Sequence, residues 1–322
     1  MIEAAASPET VKSVEAALRE ELAQEDAVVA TIAPILRHFL ANEANSLFSE
    51  EIIARVRGMV ADVAAQLLDQ LAAAGGGTER GVHAPEDIAL LTDAIVGNPA
   101  FLGHVHALAV EWQLTERLQS RLGLDPVLSP LVQALIASSD AATAALAMNL
   151  LASQARFGQA QRRMTLPLGE LPADLLHGAL VALRGIAGPE PEADERVAVA
   201  ETAIREAYDE SRGRLGLISR IVTDMGAGAV AALSVGHAGV AIFLSALSVG
   251  SGQERDVIAL STHEAQVARF VLALRAAGLK SEAVEEQFLA FHADNPPPEG
   301  FERLGADHAA SILAVSGSYP GG

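Results

Sequence analysis

Two short histidine motifs are the clearest candidates for metal chemistry in this sequence. His104 and His106 stand two residues apart, and the triplet at 262–264 (Thr-His-Glu) begins like the H-E-x-x-H pattern of zinc peptidases. The first pair lies in a segment of helical periodicity, where residues two apart point to different faces. The second motif has Val267 where the second histidine is needed. We therefore predict no metal site, one buried and one exposed histidine at 104 and 106, and helix capping by the hydroxyls of residues 261 and 262.

A glycine motif offers the clearest candidate for cofactor chemistry. Residues 226–231 read Gly-Ala-Gly-Ala-Val-Ala and match the G-x-G-x-x-A fingerprint of dinucleotide-binding proteins. That fingerprint binds a dinucleotide only when it follows a strand in a βαβ unit. Here residues 215–224 continue a helical stripe. We predict no cofactor and assign no catalytic residue, which favours a non-enzyme but leaves open an enzyme with an unfamiliar motif.

The densest cluster of positive charge consists of Arg156, Arg162 and Arg163. These arginines lie near the end of a predicted helix, where the helix dipole favours cations. Guanidinium groups also pair bidentately with carboxylates and phosphates. The cluster is therefore either a solvated helix end or a contact for an acidic partner or for the acidic surface of this chain, and we retain it as a candidate interaction site.

Composition excludes several classes of function. The 322 residues carry 22 basic and 41 acidic side chains, a net charge of −19, and only 4% are aromatic. Such a chain repels phosphate backbones and offers few rings for base stacking, so no nucleic-acid partner is expected. The absence of cysteine excludes disulfides and thiolate ligands. The acidic start of the sequence lacks the pattern of a signal peptide, and we expect a cytoplasmic location.

The elements that must position these residues are helices. Apolar residues recur at steps of three and four, and sustained alternation is missing, so the predicted class is all-α. We expect an array of antiparallel helices, with a HEAT-like arrangement as one option, although no clean internal period supports a regular solenoid. Pro34 is expected to kink or divide the first helical region. The main predicted helices span 85–96, 99–122, 126–137, 140–163, 172–185, 193–224, 281–293 and 307–315, with one more ending before Gly278.

The uncharged stretch at 226–250 has the hydropathy of a membrane span. It is rich in Ala, Gly and Ser, and residues 236–239 (Gly-His-Ala-Gly) interrupt it near the middle. Each half is then about ten residues long, too short to cross a bilayer of about 30 Å. We predict a buried pair of helices here and no membrane partner.

Glycine and proline indicate the domain organisation. The Gly-rich segment at 74–84 is the expected main boundary, between an N-terminal helical hairpin or bundle at 1–74 and a main helical domain at 84–322. The N-terminal part carries a wide apolar stripe that includes Ile53, Val60 and Leu67. Such a stripe must be covered by the body of the chain, by a second copy in a homodimer, or by another protein.

Several phrases of the sequence resemble a known family. They are LLASQARF at 150–157, LPLGELP at 166–172, FLSALSVGSGQERD at 243–256 and ARFVLALRAAGL at 268–279. Over roughly residues 90–315 the chain resembles the uncharacterised alphaproteobacterial family known as domain of unknown function 2336. The resemblance implies a helical, cytoplasmic bacterial protein and supplies no activity and no site residue.

Two functions from different classes fit these observations. The first is a non-enzymatic helical scaffold or protein-interaction protein, which the acidic surface and the missing catalytic motifs favour. The second is a small-molecule or lipid-binding protein that uses an apolar pocket near residues 226–250. The identity of a protein partner is not encoded in any motif.

Overall fold

The computed structural model describes residues 8–41, 50–76, 83–188, 191–293 and 296–316, and helices are the only regular secondary structure in these ranges. The all-α prediction is therefore confirmed. The α-helices are α1 (Pro8–Ala41), α2 (Glu50–Ala74), α3 (Pro85–Val96), α4 (Pro99–Leu122), α5 (Pro130–Ile136), α6 (Ala141–Arg162), α7 (Ala173–Ile186), α8 (Pro191–Ala207), α9 (Arg214–Asp224), α10 (Val235–Ala238), α11 (Val240–Ser251), α12 (Arg255–Ser261), α13 (Val267–Ala276), α14 (Ser281–Phe291) and α15 (Ala306–Ser316). Short 3-10 helices span Leu168–Glu170, Glu210–Arg212, Gly226–Leu233, Glu264–Gln266 and Phe301–Arg303.

Helices that begin at proline or at a capping side chain lie close to their predicted positions. Pro85 is the first residue of α3, where its missing N–H costs nothing. The Asp140 carboxylate accepts a hydrogen bond from the Thr143 N–H at 2.8 Å and thereby caps the start of α6. The hydrogen bond from the Thr143 hydroxyl and this backbone bond lower the pKa of Asp140. At the other end of the chain, the left-handed conformation of Gly278 follows α13.

Pro34 does not divide its helix, because α1 continues through it without interruption. The other expected outcome, a kink at Pro34, stays a prediction. Proline removes one backbone hydrogen bond and frees the carbonyl four residues earlier, here that of Ala30. Both Ala30 and Pro34 are exposed, so water can satisfy the freed carbonyl. The long helix predicted over 193–224 is wrong, because the chain leaves α8 at Ala207 and resumes a helix only at Arg214.

The break between α8 and α9 depends on the close approach of two backbone segments. A Cβ atom on Gly216 would lie 2.3 Å from the Glu210 carbonyl oxygen, so only glycine fits there. The Asp209 carboxylate accepts hydrogen bonds from the Ser211 N–H and hydroxyl and thereby stabilises the turn. Apolar residues on both sides of the break are buried, and the helical stripe in the sequence therefore runs across it without a gap.

The stretch at 226–250 is only partly buried. Its first part forms the 3-10 helix Gly226–Leu233, where most residues up to 231 are exposed and Val230 is 69% exposed. The second part, α11, is buried from Val240 to Leu247. The predicted buried helix pair is thus wrong for its first half, and the predicted break is present at Gly239, whose φ is +75°. Alanine and glycine provide high hydropathy but little side-chain surface to bury, which explains the difference.

Among the described residues, no single helix combines the length and hydropathy of a membrane span, although three pairs of helices joined at sharp bends reach those limits together.

The chain forms two compact units. Unit 1 comprises residues 1–32, 113–144 and 219–322, and unit 2 comprises 33–112 and 145–218, so the boundaries fall within α1, α4, α6 and α9. In unit 2, α2 packs against α3, α7 and α8. The domain boundary expected at 74–84, of which residues 77–82 lie outside the described ranges, stays a prediction, as does a HEAT-like array.

The core of unit 1 is built around α13. This helix packs against α11, α14 and α15. Phe270 of α13 is fully buried, with its ring centroid 6.4 Å from that of Phe243, 6.3 Å from Phe288 and 4.9 Å from Phe291. His292 extends this aromatic cluster, and its ring lies 4.7 Å from that of Phe288.

Two buried ionisable groups of unit 1 have pKa values shifted in opposite directions. The Glu25 carboxylate accepts hydrogen bonds from the N–H groups of Ala268 and Arg269 at the start of α13. Burial nevertheless raises the pKa of Glu25 to about 7 against the effect of these bonds. Burial lowers the pKa of His292 to about 4, and the positive charge of Arg117 acts in the same direction.

These shifts predict opposing contributions to stability between about pH 4.5 and 6.5. Glu25 binds a proton more tightly in the folded chain, so its contribution is full below pH 4.5 and is lost as the pH rises towards 7. His292 binds a proton less tightly in the folded chain, so its contribution is present above pH 6.5 and is lost as the pH falls towards 4. Relative to wild type, Glu25→Gln should make stability rise with pH over this interval, and His292→Phe should make it fall.

Urea unfolding at half-unit pH steps measures both changes, and each should exceed about 1 kcal/mol across the interval, the equivalent of roughly one pKa unit. Glu20→Gln on the exposed side of α1 is the control and should follow wild type. Parallel profiles for all four proteins would contradict the assignment.

Candidate functional site

Unit 2 contains an open cleft with a volume of about 290 Å³. One wall is the last two turns of α6, another is the segment 165–170, and the third runs from the end of α8 to Gly213. The lining residues combine an apolar surface with both signs of charge. They are Arg156, Phe157, Ala160, Gln161, Thr165, Leu166, Pro167, Gly169, Glu170, Ala207, Asp209, Arg212 and Gly213.

Helix α2 holds the segment that forms the second wall. The Asp62 carboxylate accepts a hydrogen bond from the Leu166 N–H at 2.9 Å. The Gln66 carboxamide donates to the Leu166 carbonyl at 2.9 Å and accepts from the Leu168 N–H at 3.1 Å. Burial raises the pKa of Asp62, while the bonds from Leu166 and Gln66 oppose that rise. Two polar side chains one helical turn apart thus fix three backbone groups of the wall.

The same segment begins with an unusual backbone conformation. Met164 has a φ of +55° and is the one non-glycine residue of the described chain with a positive φ. A Cβ atom on Gly58 of α2 would lie 2.6 Å from the Cβ of Met164, so the close approach of the two segments requires glycine at 58. The left-handed turn directs the chain from the end of α6 into the cleft wall.

A buried ion pair between Arg214 and Glu111 lies next to residues that line the cleft. The Arg214 guanidinium contacts both carboxylate oxygens of Glu111, at 2.7 and 3.1 Å, and both side chains are only 1% exposed. The guanidinium carbon also lies 3.6 Å from the centroid of the Phe157 ring. In addition, the Arg214 N–H donates to the Glu170 carboxylate at 2.8 Å. Arg214 therefore positions two residues that line the cleft.

The positive charges at the cleft have no carboxylate partner. Arg156, Arg163 and Arg212 form no ion pair and no side-chain hydrogen bond with other described residues. The carboxylates in the cleft are engaged, because Glu170 accepts from Arg214 and Asp209 caps the turn that follows α8. The guanidinium groups of Arg156 and Arg212 are thus available to an anionic ligand, whereas the neighbouring acidic groups are already used.

The arginine cluster predicted from sequence is divided between two roles. Arg156 lines the cleft. Arg162 lies over the ring of Trp112, with its guanidinium carbon 5.5 Å from the ring centroid, and Arg163 is exposed. The structure adds Arg212, which follows Arg156 by 56 positions in the sequence and has no sequence signal of its own.

The apolar stripe proposed for interaction is covered by the chain. Val60 and Leu67 of α2 have no exposed surface, and Ile53 is half-buried. Helices α3, α7 and α8 cover this face. Val60 and Leu67 therefore offer no surface to a partner or to a second copy in this conformation.

The residues of the two histidine motifs differ from the prediction in their burial and in their capping bonds. His104 and His106 are both buried, so the expected exposure of one of them is wrong. Within the described ranges, no group of three or more His, Asp or Glu side chains could hold a metal ion. The hydroxyls of Ser261 and Thr262 donate to carbonyls of α12, and the imidazole of His263 accepts from the Ala265 N–H as the actual cap. Residues 104–109 of α4 are all buried, so the helix has no exposed face at this point.

Sequence reasoning missed Glu111, Arg214 and Gln161. Glu111 was detectable as a lone charge in the apolar run from 107 to 112, which is unusual for a solvated helix face. Its partner is 103 positions away, and no spacing rule connects them. Gln161 has no sequence feature that distinguishes it from other polar residues near the end of a helix.

Comparison with known proteins provides no relative: no family model, no curated protein and no solved structure matches this chain. The function must therefore be inferred from the residues of the cleft.

Breaking the buried ion pair should destabilise the chain strongly. Glu111→Leu leaves the Arg214 guanidinium buried without its carboxylate, a change that typically costs about 3–5 kcal/mol. The double variant Glu111→Leu/Arg214→Met removes both charges and should recover most of that loss. Chemical denaturation measures the free energy of unfolding of each protein.

The control is Arg184→Met on the exposed surface, which removes an ion pair with Glu201 and should cost less than about 1 kcal/mol. A loss for Glu111→Leu as small as that of the control would show that the buried pair contributes little.

Proposed function

We propose that unit 2 is a non-enzymatic protein-interaction module whose cleft binds an acidic peptide segment of a partner protein. The observation that carries this proposal is the pair Arg156 and Arg212, which line the cleft and form no ion pair with the carboxylates of the described residues. In a chain with 41 acidic and 22 basic residues, arginines are expected to find intramolecular partners easily. Unpaired arginines at a concave surface are a common means of binding carboxylates.

The size and surface of the cleft suit one side chain of a peptide and its charged neighbours better than a bulky ligand. A volume of about 290 Å³ lies at the lower limit of small-molecule pockets, which typically measure about 300–1,000 Å³. Phe157, Ala160 and Leu166 supply an apolar surface in the same cleft as the two arginines. This combination suits one apolar side chain flanked by acidic residues. The bound segment then neutralises Arg156 and Arg212 while its apolar side chain contacts Phe157.

A small-molecule or lipid site near 226–250 stays the alternative function. The cleft with the two arginines is a different site, since none of its lining residues belongs to that stretch. A homodimer through the stripe of α2 needs an exposed face, and Val60 and Leu67 are buried. The resemblance to domain of unknown function 2336 and a cytoplasmic location stay part of the proposal, and neither assigns an activity.

A peptide array tests the proposed function. The probes are 12-residue peptides in which a central leucine is flanked by two to four glutamates, together with matched peptides that carry glutamine instead. We expect the protein to bind the glutamate series more tightly, with an affinity that falls as salt is added, since ion pairs at an open cleft are screened. Arg156→Glu/Arg212→Glu should weaken binding at least tenfold.

Arg196→Glu, at an exposed position of α8 outside the cleft, is the matched control and should bind like wild type. Thermal unfolding establishes that each variant is folded. Equal binding of the glutamine peptides, or full binding by the folded double variant, would exclude the proposed function.

A further inference from the structure

We propose that Gln161 is the residue that reads the peptide main chain in this cleft, by accepting a hydrogen bond from a backbone N–H of the bound acidic segment. This inference rests on the proposed function and deepens it, because it names a contact that an ionised carboxylate alone cannot make. The proposed contact also explains why the polar Gln161 side chain is buried, which is otherwise unfavourable.

The first observation is the state of the Gln161 side chain. Gln161 lines the cleft and has no exposed surface. Its carboxamide nitrogen donates to the Met59 sulfur at 3.2 Å, and its carboxamide oxygen has no hydrogen-bond partner among the described residues. A thioether is a weak acceptor, so neither end of the carboxamide forms a strong bond.

The unsatisfied carboxamide oxygen of Gln161 is energetically unfavourable in the free protein. A buried acceptor without a partner loses its hydrogen bonds to water, whereas an apolar residue of similar shape would avoid that loss. Phe157 precedes Gln161 by one helical turn and Ala160 is adjacent, so the local environment would accept an apolar side chain. A polar residue that is costly to the free protein is reasonable where a bound ligand satisfies it.

The Gln161 carboxamide oxygen can reach a ligand in the cleft by rotation of the side chain. This oxygen is enclosed in the free protein, but the terminal torsion of a glutamine is broad and permits rotation of the carboxamide. Such rotation breaks only the weak bond to the Met59 sulfur. The backbone does not need to move, because the Gln161 carbonyl accepts a hydrogen bond from the Arg55 side chain, which is itself paired with Glu51. The acceptor can therefore turn into the cleft while α6 stays in place.

The donors and the acceptor of the cleft indicate the chemistry of its ligand. Arg156 and Arg212 only donate hydrogen bonds, and Gln161 supplies an acceptor in the same cleft. A peptide with acidic side chains offers both complements, carboxylate oxygens for the arginines and main-chain N–H groups for Gln161. A fully ionised dicarboxylate has no donor and satisfies the arginines alone. The cleft should thus prefer a peptide over a dicarboxylate of equal charge.

The test uses the tightest-binding glutamate peptide of the array, labelled with fluorescein, and a series of the same peptide N-methylated at one position at a time. Fluorescence anisotropy measures Kd with the full chain. We expect Gln161→Met to weaken binding of the unmodified peptide at least tenfold while the melting temperature stays equal to or above that of wild type. One N-methylated position should weaken binding to wild type by a similar factor and have no further effect on Gln161→Met.

Gln159→Met on the exposed side of α6 is the matched control and should leave Kd unchanged. If wild type binds the peptide but no N-methyl position and no Gln161→Met substitution changes Kd, solvent rather than the ligand satisfies Gln161, and the inference is wrong while the proposed function stands. If wild type binds no glutamate peptide, both are wrong. Should Gln161→Met unfold, the N-methyl series on wild type decides alone.

Discussion

The buried pair of Arg214 and Glu111 is the constraint on which the cleft depends. Two opposite charges at 1% exposure are tolerated only in direct contact and with further hydrogen bonds. Meeting that requirement brings the start of α9 against α4. It also places the Arg214 guanidinium on the face of Phe157 and its N–H on Glu170. One charged side chain thereby determines the positions of two residues on different walls.

The wall formed by residues 165–170 is also fixed by polar groups of α2. Asp62 and Gln66 satisfy the backbone of residues 166 and 168, which otherwise lack partners in a helix or sheet. Gly58 allows the segment to approach α2 closely. A cleft held by such bonds from two directions is largely preformed, so ligand binding needs only local side-chain rotation. Preformed sites lose less conformational entropy on binding.

The sequence predicted the helices whose ends have local causes and missed the structure that depends on distant contacts. Pro85 and Asp140 act on their own backbone, and the helices that they begin lie where expected. The break between α8 and α9 depends on the contact of Gly216 with the Glu210 carbonyl, which no periodicity records. Arg156 was recognised because charge density is a local property. Its cleft partner Arg212 was not, because only folding brings the two segments together.

The stripe of α2 illustrates the same limit. Its width predicts a cover by the body of the chain, a second copy or another protein, and in the structure α3, α7 and α8 together cover Val60 and Leu67. A stripe that is wider than one partner helix indicates several neighbours, and the sequence cannot say whether those neighbours belong to the same chain.

The most direct test of the central claim is to locate the bound peptide. A glutamate peptide that carries benzophenone in place of its central leucine can be photo-crosslinked to the full chain, and mass spectrometry then identifies the attached residues. The account predicts attachment to residues of the cleft, chiefly Phe157, Leu166 and Ala207, and loss of that attachment in Arg156→Glu/Arg212→Glu. Attachment outside residues 156–213, unchanged in that variant, would contradict it.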